Sequence, residues 1–208
     1  MSWILALHSS SSVLGVGLRD LEAAAGTGAT DRLQEFPLGR ELSGSLLNCV
    51  EAVLPASRWR RLARLAVATG PGGFTGTRLT VVLARTLAQQ LQIPLQGVGS
   101  FLLMARRLQL ERPTWLVQEL PRRGVVAGLY GPDGAVLGGM AERLAPRLYA
   151  DPQALHALEP EAPVVAAEVV VRQDVSQLLD LAALAQQLSL PAPWEPVLPH
   201  YPTGPVPA

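Results

Sequence analysis

The chain has 208 residues, 49% of them hydrophobic, with 17 basic and 17 acidic side chains and a formal net charge of zero. At about 150 residues per domain this allows one domain or two small ones, with enough apolar mass for a real core. Neutrality argues against an independent nucleic-acid binder, which needs a basic face to neutralise phosphates, although a local arginine patch remains allowed. The sequence contains no lysine, since every basic side chain is arginine. That removes a Walker A lysine, a Schiff-base lysine and a Ser-Lys nucleophile pair. The single cysteine, Cys49, rules out an intrachain disulfide and suits a reducing compartment. His8, His156 and His200 are far apart in sequence and form no metal-spaced cluster with Cys49. Met1 runs directly into a strand-like segment without a charged leader, and no stretch is long enough to span a bilayer. A cytoplasmic protein that needs no membrane is expected.

In chain order, "SWILALHSS" reads as a buried strand and "SVLGVGLRD" as a second, joined as a hairpin. A polar Gly/Ala stretch at 23–31 reads as a loop or edge, and "RLQEFPL" as a third strand. In "GRELSGSLLNCVEAVLP", Leu42, Leu46, Cys49, Val50 and Val53 recur at helical steps, and Pro55 stops the helix. A basic turn leads into a strand at 62–68. "PLQGVGS" is a short strand and turn, and "SFLLMARRLQL" a helix capped by Ser100. Beyond Pro113, "TWLVQEL", "RRGVVAGLYGPDG" and "AVLGGMAERL" read as three strands, the last two joined by a turn at 131–134. "DPQALHAL" reads as a short helix, "APVVAAE" as a strand, and "RQDVSQLLDLAALAQQLSL" as an amphipathic helix. The proline-rich end carries Trp194 and Tyr201, which suit docking as an extended segment. The order is mixed α/β in two unequal halves, with a weakly shared βββαβα plan.

The segment "ATGPGGFTGTRLTVVLARTLAQQL" carries a glycine turn: Gly70, Pro71, Gly72, Gly73, Phe74, Thr75 and Gly76. Walker A fails here for want of a lysine. The dinucleotide fingerprint fails because Thr75 stands where its third glycine belongs and no acidic residue follows at the ribose-binding distance. A structural reading accounts for more residues. The glycines free the backbone, Pro71 fixes one φ, and Thr75 serves as N-cap. The helix that follows has two apolar faces. One is Leu79, Val82, Leu83, Thr86 and Leu87; the other, lined by small residues, is Val81, Ala84, Ala88 and Leu91. A helix on a lone domain needs one such face, so the surplus is expected to meet the second half or another chain. Arg78 is either a solvated arginine or a contact to another chain or an anion, with the wrong sign for the helix dipole.

With its helix and the following "IPLQGVGSFLLMA", this turn resembles the signature of the TsaB (YeaZ) family. Gly70, Pro71, Gly72, Phe74, Thr75, Gly76 and Arg78 match, while Gly73 replaces the usual serine. "WILALHSSSSVLGVGL" resembles the family's opening strand–turn–strand; beyond Pro113 the match is weak. The resemblance implies two ribonuclease-H-like halves of the actin/Hsp70/sugar-kinase (ASKHA) type, the second reduced. On that basis residues 1–110 form the first half, 111–190 the smaller second, and 191–208 a tail. It implies no catalytic residue and no metal or cofactor on this chain, while leaving room for an adenine nucleotide at the subunit junction. The implied role is a non-catalytic scaffold for a TsaD-type transferase that places a threonylcarbamoyl group on the adenosine beside the anticodon of tRNA. The resemblance leaves room for a TsaE-type ATPase as a further partner and for a homodimer when TsaD is absent, and it brings tRNA in only through the complex. The expected interface is Leu42, Leu46, Val50, Val81, Ala84, Arg85 and Ala88, with Arg78 at its edge. His8 stands where ATP-binding relatives carry a metal-holding aspartate, which disfavours the rival reading, a small-molecule phosphotransfer enzyme or ATPase of the same superfold.

Overall fold

The computed structural model describes residues 2–22 and 31–203. The loop expected at 23–31 therefore falls, apart from Asp31, outside the described residues. The first sheet has the order β3-β2-β1-β4-β5. Its strands are β1 (Trp3–His8), β2 (Leu14–Asp20), β3 (Arg32–Phe36), β4 (Leu62–Ala68) and β5 (Leu95–Val98). β1 to β3 form an antiparallel meander, whereas β4 pairs parallel with β1 and β5 parallel with β4.

The second sheet has the order β8-β7-β6-β9, made of β6 (Thr114–Leu120), β7 (Gly124–Pro132), β8 (Met140–Tyr149) and β9 (Val164–Ala166). Its pairing repeats the first sheet's plan, an antiparallel meander of three with a parallel fourth beside the first strand. No fifth strand follows among the described residues, so the second sheet is the smaller one. The turn between β7 and β8 is longer than read from sequence. "AVLGG" is loop rather than strand, because the chain turns back through Gly138 and Gly139 at positive φ.

Strand alternation divides the core of the first half. Trp3, Leu5 and Leu7 of β1 face α1 (Leu42–Val53) and α2 (Phe74–Leu91). Ile4 and Ala6 face α5 (Val171–Gln187), together with Leu103 of α3 (Ser100–Arg107). The short helix α4 (Gln153–Leu158) joins the second sheet's own cluster through Leu155. α3 is the wedge between the sheets, since Phe101, Met104 and Ala105 pack against Leu116, Val126 and Tyr130 of the second.

The expected division at 111–190 needs correction at α5, which packs on β1, β2 and β4 of the first sheet. Gly15 and Gly17 provide the seat: a methyl group on either would stand 2.5 Å from Val171 or Val175. Two N-caps are also corrected. Gly73, not Thr75, precedes α2, and Gly99, not Ser100, precedes α3, neither with a side-chain cap bond.

Candidate docking site

The glycine turn lies against the β1–β2 turn. The Gly73 amide donates to the Ser10 carbonyl at 2.9 Å. A Cβ at Gly72 would overlap Ser10, and one at Gly76 would stand 2.8 Å from the Ser9 carbonyl oxygen. Ser9 and Thr80 hydroxyls meet at 2.8 Å, and those of Ser10 and Ser100 at 2.6 Å, both buried. The close approach permitted by Gly72 and Gly76 is thus to the chain's own serines, which lace α2 and α3 to the end of β1. Ser9 and Ser10 were missed as functional partners of the glycines. The run of four serines directly after a buried strand is the signal that pointed to them.

This anchoring fixes the rotation of α2 and corrects the expected interface. Val81, Ala84 and Ala88 are fully buried, as is Val50 of α1, and Leu42 and Leu46 are buried beside them, all in the core of the first half. The small-residue face turns inward because alanine lets a helix lie close on a sheet. Arg78 is exposed and Arg85 half-buried. The surface left to solvent comes from the other stripe, except for Leu87, which is buried with the core. On α2, Phe74 is 51% exposed and Val82 52%, with Arg78 between them at four-residue steps and Leu79 and Leu83 half-buried alongside. Beside it on α1, Leu47 is 47% exposed among exposed Ser43, Gly44, Asn48 and Ala52. α2 carries no acidic residue, so its open face is apolar and positive.

His8 ends β1 with no exposure, and neither ring nitrogen has a hydrogen-bond partner among the described residues. Burial lowers its pKa from 6.5 to about 4. Above pH 6.5 the ring is neutral whether folded or not. As pH falls below 6.5 the unfolded chain takes up a proton that the folded chain refuses, so stability drops until about pH 4. At pH 4.5 the loss is about 2–3 kcal/mol. His8→Leu is expected to remove that loss, read from urea midpoints at pH 7.5 and 4.5. Equal acid sensitivity in the variant and the parent would refute it.

Arg107, at the end of α3, donates from Nε to Asp174 at 2.8 Å and from Nη2 to the Glu168 carbonyl at 2.6 Å. Asp174 is fully buried and also accepts from the Val170 amide at 2.9 Å. Burial pushes its carboxyl above the ordinary range against the pull of Arg107 and that amide. The pair ties α3 to the start of α5. Arg122 and Arg123, in the β6–β7 turn, stay exposed. Among the described residues, no group of three or more His, Cys, Asp or Glu side chains is placed to hold a metal ion.

The fold has known counterparts. An uncharacterised protein with similarity to peptidase YeaZ from Pseudomonas aeruginosa superposes with a TM-score of 0.69 at 22% identity, over 98% of this chain and 100% of that one. YeaZ from Pseudomonas aeruginosa does so at 0.67 and 22%, over 97% and 100%. A family model described as TsaD, tRNA N6-adenosine threonylcarbamoyltransferase, matches residues 38–127. The tRNA threonylcarbamoyladenosine biosynthesis protein TsaB of Bacillus subtilis (strain 168) is 51% identical over 39 residues, which are 19% of this chain and 17% of that protein. The molecule therefore has the α/β fold of the YeaZ structures, two sheet-centred halves of one plan with the second the smaller. In fold the chain is similar to the YeaZ proteins, and over a short stretch its sequence is similar to TsaB.

Proposed function

We propose that this chain is a non-catalytic subunit that docks onto a TsaD-type transferase through the outer faces of α1 and α2, and so serves threonylcarbamoyladenosine formation beside the anticodon of tRNA. The observation that carries the reading is the open stripe of Leu47, Phe74 and Val82 on two adjacent helices whose inner faces are fully engaged in the core. Exposed apolar side chains grouped on one face mark contact sites. The TsaD family match at 38–127 spans both helices. A partner of that family carries counterparts of both, so the two faces can meet about a pseudo-twofold axis. Without that partner, the same face pairs with a second copy of this chain. tRNA enters through the complex, a TsaE-type ATPase is a further member, and the reading requires no cofactor on this chain. No helix among the described residues is long and apolar enough to cross a membrane, and a role in tRNA modification suits a cytoplasmic location.

His8 supports a non-catalytic role. A neutral imidazole enclosed at the end of β1 neither reaches solvent nor offers the anionic oxygen that magnesium prefers. Co-expression with a TsaD-type protein followed by size-exclusion chromatography should give one co-eluting peak. Separate elution, together with ATP turnover by the isolated chain, would favour the enzyme reading instead.

A further inference from the structure

The proline-rich segment at 190–201 is neither loose nor remote from α2. Where α5 ends, the Leu190 carbonyl accepts from the buried Arg64 guanidinium at 2.6 Å. The Leu95 amide at the free edge of β5 then donates to the Ala192 carbonyl at 2.8 Å. Trp194 and Val197 enter the core under α1 and α2, Val197 filling the space that Gly97 leaves open. The His200 amide donates to the Thr69 carbonyl at 2.7 Å, one residue before the glycine turn. Its ring Nε2 lies 2.8 Å from the Pro146 carbonyl of β8, where it acts as donor. The segment at 190–201 therefore straps the first sheet's edge to the glycine turn and to the second sheet, holding Tyr201 in place by backbone bonds on the residues before it.

Tyr201 lies with its ring 4.4 Å from that of Phe74. Phe74 opens α2 and heads the stripe that continues through Arg78 to Val82. Both rings keep open surface, 36% for Tyr201 and 51% for Phe74. Arg78 lies close enough to act electrostatically on the Tyr201 hydroxyl. An aromatic pair with an arginine on a fixed backbone has the composition of an interface anchor. Because α2 has two arginines and no acid, it suits a partner surface with a carboxylate beside apolar side chains.

We propose that the docking face is composite, with the chain's own C-terminal strap presenting Tyr201 as a contact residue for the TsaD-type partner. This rests on the function proposed above and adds a second element to the face. The test is calorimetric titration of the full-length chain with a TsaD-type transferase, comparing the parent with Tyr201→Ala and Val82→Arg and measuring the melting temperature of each. Tyr201→Ala leaves every strap hydrogen bond in place, so it should melt with the parent and bind about tenfold more weakly. If Val82→Arg abolishes binding while Tyr201→Ala leaves the affinity unchanged, the composite face is wrong and the α1–α2 face stands. If Val82→Arg binds like the parent, the docking reading itself falls, and the composite face with it. If Tyr201→Ala disrupts only a homodimer of this chain, the surface belongs to a second copy, which also overturns the proposal.

Discussion

Val82→Arg is expected to weaken the complex with a TsaD-type partner at least about a hundredfold, or roughly 2.7 kcal/mol, with no change in melting temperature. Ala84→Arg is expected to do the opposite and unfold the chain before binding can be measured. The two positions are two residues apart on α2, but Val82 is 52% exposed while Ala84 has no accessible surface. An arginine at 82 extends into solvent and meets only the partner. At 84 it drives a guanidinium into a packed apolar cluster that includes Leu5, Leu65 and Val67. Far-ultraviolet circular dichroism and a pull-down on both variants separate the outcomes. A folded Ala84→Arg chain that fails to bind would restore the small-residue face as the interface.

Arg107→Ala is expected to cost about 3–5 kcal/mol of stability, because it strands a fully buried carboxylate. For a chain of this size that lowers the melting temperature by about 10 °C. Replacing both partners, Arg107→Met with Asp174→Leu, is expected to recover most of the loss. The penalty comes from an unpaired buried charge more than from a missing attraction. Denaturant titration of the single and double variants decides it, and a double variant no more stable than the single one would count against this account.

Much of the architecture was legible in the residues. The continuous apolar run of β1, the helical steps of Leu42, Leu46 and Val50, and the turn chemistry before α2 placed the principal elements of the first half. What periodicity could not supply was direction. A helix with two apolar stripes reads identically whichever one meets its sheet. The decision came from Gly72 and Gly76 lying on Ser9 and Ser10, a contact between segments more than sixty residues apart in sequence. α5 shows the same limit. Its stripe of Val171, Val175, Leu178 and Leu179 announces burial without naming the sheet, and Gly15 and Gly17, the matching seat, look in isolation like weak points in a strand. The tail was legible only through Trp194 and Tyr201, since a run of prolines says nothing of the backbone groups elsewhere that will receive it.

The return of α5 to the first sheet bears on how the molecule is made. A ribosome that has released β1 to β5 has delivered all five strands but not the helix that covers one side of them. Ile4, Ala6, Ala66 and Ala68 stay bare on that side until Val171 to Leu181 emerge. The amino-terminal half cannot finish ahead of the rest, as the first domain of a growing chain usually does. Its completion waits on a stretch translated after every strand of the second sheet, and a nascent chain stalled before α5 would present a greasy sheet face to the chaperones around it.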